Sequence, residues 1–220
     1  MIGWPGSLLH NPHRASSSPP DRHRKKKIEA FLVSTGLVAL AEIGDKTQLL
    51  AFLLAARFRK PLPICLGILL ATLANHAAAG ALGAWITAQV NPATMRWVLG
   101  IGFIAMAAWT LVPDKIDAED AEGKSFKLGV LGTTIVAFFL AEMGDKTQIA
   151  TVALAAQYPQ LLAVVAGTTL GMMIANVPAV YLGDRIAHKI PLKLVHGVAA
   201  LIFAALGVAT LLGAGRSLGF

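Results

Sequence analysis

Charge is what this chain has least of. Only 14% of its 220 residues are Asp, Glu, Lys or Arg, against about 25% in an ordinary soluble domain. Hydrophobic residues make up 55%, and the mean hydropathy is +0.64. That balance excludes a soluble globular domain and points to an integral membrane protein. Cysteine is nearly absent. Cys65 stands alone, so there is no disulfide framework, and its place in an apolar run marks it as a buried thiol rather than a ligand. A cleavable signal is not expected either, because the first apolar segment is too long for a signal core and carries acidic residues inside it. The formal charge of +7 would suit a nucleic-acid binder if it were spread over a surface, but residues 1–27 hold six Arg and Lys against one Asp. That Ser- and Pro-rich tail is expected to be disordered and solvated, in contact at most with anionic headgroups; no nucleic-acid partner is expected.

What is present is a series of apolar runs. Residues 28–56, 62–88 and 95–112 form one set of three, and 128–157, 161–183 and 192–213 a second. Each can cross a hydrocarbon layer about 30 Å thick as a helix rising 1.5 Å per residue. Run 28–56 would make an unbroken helix of about 43 Å, so it must tilt, kink or unwind, and Gly44 is the natural breakpoint. The small residues of 77–84 should let another helix pack closely. DKIDAEDAEGKSFK at 114–127 reads as a solvated linker, since it lacks the ordered acid spacing and central Gly of an EF-hand loop. The predicted organisation is all-α and membrane-embedded, with six transmembrane helices: a disordered basic tail (1–27), a three-helix repeat (28–112), an acidic linker (113–127) and a second three-helix repeat (128–220). Three spans per repeat is an odd number, so the repeats insert with opposite orientation, as in many transporters. Arg57, Arg59, Lys60, Lys115, Lys124, Lys127, Arg185, Lys189 and Lys193 all fall after odd-numbered spans. The positive-inside bias then puts the linker in the cytoplasm and both termini outside.

The repeat is clearest at LAEIGDKTQ (40–48) and LAEMGDKTQ (140–148), identical at eight of nine positions and one hundred residues apart. It places Glu42, Asp45, Lys46, Glu142, Asp145 and Lys146 deep inside apolar runs, where each ionisable group costs about 2.5–3.5 kcal/mol even on insertion-based scales. Charges kept at that cost mark a functional site. Glu42 and Asp45, three residues apart, would share a helix face with Gln48 a turn further on. Two such faces meeting at the midplane would surround one cavity with four carboxylates. Carboxylate and amide oxygens are hard ligands suited to Mn²⁺, Ca²⁺ or Mg²⁺, and no thiolate or histidine cluster suggests zinc or copper. The expected metal ligands are therefore Glu42, Asp45, Gln48, Glu142, Asp145 and Gln148, with Thr47 and Thr147 adding hydroxyls or capping a broken helix. Lys46 and Lys146 are expected to balance charge and take part in proton coupling, with Lys46 in the favourable order for an ion pair four residues after Glu42. Four carboxylates and two lysines leave two negative charges. One divalent cation or two protons would neutralise them equally well, which suits an exchanger whose loaded states alone cross the membrane. Asn75, His76 and Asn176 are candidate cavity-lining residues, although Asn75 and Asn176 fall one position out of register. His188 and His196 are read as interfacial.

The doubled Glu-x-Gly-Asp-Lys-Thr pattern, AEIGDKTQ at 41–48 and AEMGDKTQ at 141–148, resembles the signature of the small calcium:cation antiporter family that includes Golgi and plastid manganese/calcium exchangers and bacterial MneA-like manganese exporters. The resemblance covers residues 28–213. It implies a six-span cation/proton exchanger of the bacterial inner membrane that moves Mn²⁺ or Ca²⁺ out of the cytoplasm as a transported substrate, with the motif acids as ligands and no permanently bound cofactor. The basic tail is where the chain departs from the family pattern, as an upstream extension or a misplaced start. The partners implied are a divalent cation, protons and the lipid bilayer. Two other classes fit the same acids: a six-span exporter of cationic amino acids, and an intramembrane carboxylate-dependent enzyme, against which the matched Lys and Thr of the two copies weigh. Mn²⁺ and Ca²⁺ both accept oxygen ligands, so the motif does not choose between them.

Overall fold

The computed structural model describes residues 19–112, 128–182 and 191–213. Eight helices carry the regular structure of those residues: α1 (Pro19–Glu42), α2 (Lys46–Phe58), α3 (Pro61–Gln89), α4 (Pro92–Thr110), α5 (Gly129–Glu142), α6 (Lys146–Gln157), α7 (Leu161–Leu182) and α8 (Leu192–Leu211). Four of them, α3, α4, α7 and α8, are long and apolar enough to cross a membrane. Large apolar side chains such as Leu62, Leu66, Leu70, Leu162 and Leu201 face outward, as a lipid-facing surface requires and an aqueous one does not favour.

The runs 28–56 and 128–157 are each divided in two at the motif. Gly44 and Gly144 adopt φ of +86° and +77°, a left-handed conformation that ends a helix and that glycine reaches without steric cost. Asp45 and Asp145 then take extended backbone angles and become the N-caps of α2 and α6. The predicted break at Gly44 is therefore present, and it has a partner one hundred residues on.

Two boundaries differ from expectation. α1 begins at Pro19, so residues 19–27 of the tail read as disordered are helical: Lys and Arg are good helix formers, and proline is tolerated in a first turn. α4 begins at Pro92 rather than 95, because Asn91 caps it by accepting a hydrogen bond from the Thr94 N–H at 2.9 Å. Residues 1–18 and the acidic linker at 113–127 lie outside the described residues, as does His188.

Close helix packing follows the small residues. A β-carbon on Gly67 of α3 would lie 2.6 Å from Thr134 of α5, and one on Gly167 of α7 would lie 2.6 Å from the Phe31 carbonyl and 3.0 Å from Ser34 of α1. These contacts are one hundred residues apart on both sides. In the 77–84 run, Gly80 packs against Leu161 and Val165 of α7, and Gly83 is pressed against the Val152 carbonyl of α6. The buried apolar side chains form two clusters. One joins α1, α4, α6, α7 and α8, and the other joins α2, α3, α5 and α7.

Candidate metal centre

The two breaks bring the motif copies together. Glu42 and Glu142 are the last residues of α1 and α5, and Asp45 and Asp145 stand immediately before α2 and α6. Helix C-termini present carbonyl oxygens and helix N-termini present N–H groups, so the site is lined by both kinds of helix end. Glu42, Glu142 and Asp145 offer carboxylate oxygens that all lie within 4.8 Å of one another, and all three residues are buried. Glu42 and Glu142 are fully enclosed, at 0% exposure. Asp45 is also buried but lies outside that group of three.

The threonines act on the glutamates. Thr47 Oγ1 donates to Glu42 Oε2 at 2.5 Å, and Thr147 Oγ1 donates to Glu142 Oε2 at 3.2 Å. Oε1 of each glutamate has no hydrogen-bond partner among the described residues. A buried, ionised oxygen left in that condition is costly unless a cation or proton occupies it. Hard oxygen donors arranged this way fit a divalent cation.

The glutamines act on the breaks. Gln48 Oε1 accepts from the Gly44 N–H at 3.0 Å, and Gln148 Oε1 accepts from the Gly144 N–H at 2.7 Å. Their amide groups reach into the opposite half, Gln48 Nε2 donating to the Ala175 carbonyl at 2.9 Å and Gln148 Nε2 to Asn75 Oδ1. Asn75 and Ala175 are therefore counterparts, and His76 corresponds to Asn176. Asn75 also donates to the Phe139 carbonyl at 3.3 Å, whereas Asn176 Nδ2 turns back to the Met172 carbonyl at 3.1 Å. His76 is fully buried, and neither ring nitrogen has a hydrogen-bond partner among the described residues.

The lysines differ between the halves. Lys46 Nζ lies 3.2 Å from Asp145 Oδ1 and its side chain is 31% exposed. Its partner is thus the aspartate of the other copy and not Glu42, because the break removes the helical spacing on which an i,i+4 pair depends. Lys146 is buried and donates to the Val112 carbonyl at 3.0 Å. A further residue, His196, expected at the interface, also touches the site's surroundings: its Nε2 lies 2.8 Å from the Ile43 carbonyl at the first break. Nothing in the motif spacing signals it.

A doubled, helix-breaking acidic motif among apolar helices, with three buried carboxylates drawn from both copies, defines a cation-handling membrane transporter. Comparison with known proteins gives the same class. The profile of the family described as "Divalent cation/proton antiporter GDT1" matches twice, over residues 30–118 and 130–217. A Vibrio cholerae protein named "Putative manganese exporter" is 51% identical over 184 residues, which cover 83% of this chain and 90% of that one. "GDT1-like protein sll0615" of Synechocystis is 32% identical, over 80% of this chain and 93% of its own. "Protein PAM71-homolog, chloroplastic" of Arabidopsis thaliana is 31% identical, with 59% of its length matched. No solved structure gives a significant match. The chain belongs to the GDT1 family of divalent cation/proton antiporters. It is a transporter and not an enzyme, which removes the intramembrane-enzyme alternative, and the family's divalent substrate removes the amino-acid one.

Proposed function

We propose that this chain exports Mn²⁺ in exchange for protons through a midplane site shared by two inverted three-helix repeats of a bacterial inner-membrane protein. Spans one and four are the broken pairs α1/α2 and α5/α6, the other four spans are α3, α4, α7 and α8, and the acidic linker is cytoplasmic. The observation that carries the reading is the convergence of Glu42, Glu142 and Asp145 from both motif copies within 4.8 Å. The name of the Vibrio cholerae relative favours Mn²⁺ over Ca²⁺ as the cargo. Glu42 and Glu142 each turn one oxygen to a threonine and keep the other for the ion, and Asp145 completes the set. Asp45 and the two lysines set the charge, so that the site stays at minus two when empty. The glutamines hold the breaks open rather than ligate.

Cation and protons neutralise the same carboxylates, so they compete. Protonation removes negative charge, and Mn²⁺ affinity must fall as pH falls. The apparent KM for Mn²⁺ should rise with acidification of the loading side, by up to about tenfold per pH unit for each competing proton. Initial rates in proteoliposomes at fixed gradient and varied pH measure this, and a KM independent of pH would remove direct competition. Lys46→Gln should act in the other direction. It takes a positive charge 3.2 Å from Asp145 out of the site, leaving minus three. The side chain is partly exposed, so solvent screens the effect, and a change of about three- to tenfold is expected. The expected result is a lower KM with a lower maximal rate, because the ion is held too tightly to leave.

The function itself is tested by pH-gradient-driven Mn²⁺ uptake into vesicles, with Ca²⁺ and Mg²⁺ in competition. Transport of Ca²⁺ without Mn²⁺ would reassign the cargo.

A further inference from the structure

The one-hundred-residue register makes α1, α2, α3 and α4 the counterparts of α5, α6, α7 and α8, and most of the packing obeys it. α3 packs on α5 as α7 packs on α1, and α3 packs on α6 as α7 packs on α2. α4 lies against α8, its own counterpart, with the rings of Phe103 and Phe203 centred 6.3 Å apart.

The placing of the α4–α8 pair breaks the match. α8 packs on α1 and α4 packs on α6, yet among the described residues there is no packing of that extent between the corresponding partners, α4 with α5 and α8 with α2. The same asymmetry is written at the two breaks. At the first, His196 Nε2 donates to the Ile43 carbonyl at 2.8 Å and Leu192 lies against Gly44. At the second, the counterparts Arg96 and Pro92 do not occupy those places. A β-carbon on Gly144 would meet nothing within 4 Å among the described residues, and Met143 is 57% exposed. Arg96 and Pro92 instead line a cavity of about 560 Å³ between the ends of α3, α4, α6 and α8. Arg96 Nε is buried there without a hydrogen-bond partner among the described residues.

We propose that α4 and α8 move as one unit between this docking on α1 and α6 and an equivalent docking on α5 and α2, with His196 and Arg96 as latch residues. In the present position His196 holds the first break through the Ile43 carbonyl. In the other, Arg96 leaves the cavity and holds the second break through the Met143 carbonyl. Packed helices take discrete alternative positions rather than a continuum, and inverted halves that exchange conformations convert an arrangement facing one side into one facing the other. The inference rests on the inverted-repeat reading given above. His196 and Arg96 are positioning residues: neither is among the three clustered carboxylates, and each acts on the backbone beside a glutamate.

The test uses the full chain with Cys65→Ser in proteoliposomes. Spin labels at Leu32 of α1 and Leu201 of α8, both outward-facing, report the α1–α8 distance by pulsed electron resonance. Two distance populations are expected, whose ratio Mn²⁺ and a pH gradient alter. His196→Ala should shift the ratio away from the present docking and Arg96→Ala toward it. A residue that merely supports the fold would not produce opposite shifts. As a second measurement, a short thiol-reactive cross-linker should join Ile43→Cys to His196→Cys and, separately, Met143→Cys to Arg96→Cys, with yields that respond oppositely to Mn²⁺. Positions 43 and 143 are where the motif copies differ, so the clustered acids are untouched. A single fixed distance, a second cross-link that never forms, or shifts in the same direction in a protein that still exchanges Mn²⁺ for protons would overturn the movement while leaving the transport reading in place. Two populations and both cross-links in a protein that carries no Mn²⁺ would leave the movement standing and remove the cargo.

Discussion

Glu42→Gln and Glu142→Gln should each lower pH-gradient-driven Mn²⁺ exchange by more than about a hundredfold while leaving the protein folded in the membrane. Each substitution is isosteric, and the carboxamide can still accept from Thr47 or Thr147, so local packing is retained. What is lost is one negative charge in a group whose oxygens lie within 4.8 Å of one another. At an effective permittivity near 20, a unit charge about 4 Å from a divalent cation is worth about 8 kcal/mol before compensation, twice the value for two unit charges. Each 1.4 kcal/mol is about a factor of ten, so partial compensation still leaves two decades. Charge sharpens the effect: with one acid neutralised, a bound divalent cation would carry a net positive charge through an apolar passage. Fluorescence-detected Mn²⁺ flux, beside a size-exclusion profile for folding, measures both parts. Wild-type flux in either variant would show that its glutamate does not hold the ion.

The second large effect is structural. Gly171→Val should lower the unfolding temperature in detergent by about 5–10 °C, the scale expected when a few kcal/mol of overpacking falls on a chain of this size. A β-carbon at Gly171 would sit 2.6 Å from the Thr35 carbonyl and 2.9 Å from the Ala39 N, and one at Gly167 would sit 2.6 Å from the Phe31 carbonyl. The clashing atoms are backbone, so no rotamer change relieves them and α1 must separate from α7. Gly167 and Gly171 form the small-xxx-small pattern that brings membrane helices into contact. Gly197→Val is the control: nothing lies within 4 Å of its β-carbon position, and its unfolding temperature should move little. Equal losses in the two variants would mean that helix propensity, and not the α1–α7 approach, sets the cost.

The helices, the doubled motif and the break were legible in the sequence because they follow from local physics. An apolar run too long for the bilayer must bend, and a glycine between two acids is where bending is cheapest. What the sequence could not display is everything decided once the helix had broken. Helical spacing then no longer links Glu42 to Lys46, and the lysine finds Asp145 across the halves. The amide oxygens of Gln48 and Gln148, read as ligands, are taken up by the Gly44 and Gly144 N–H groups that the break exposes. The offset between Asn75 and Asn176 is likewise explained only in three dimensions: Gln148 meets the Asn75 side chain, while Gln48 meets the Ala175 backbone and needs no asparagine there. His196 carried no signal, since its register counterpart is an arginine.

The bridge between Lys46 and Asp145 has a consequence for the journey of the ion. If the halves exchange places as the α4–α8 movement requires, the register makes Asp45 the third member of the carboxylate group in the other position. Glu42 and Glu142 belong to both settings. The cargo would then scarcely travel: it would stay between the same two glutamates while one aspartate lets go and the other takes hold, and the membrane's two faces would trade access around it. Among the acids, side preference would reside in the aspartates, and Asp145→Asn and Asp45→Asn would slow loading from opposite faces, a difference visible in vesicles of opposite sidedness.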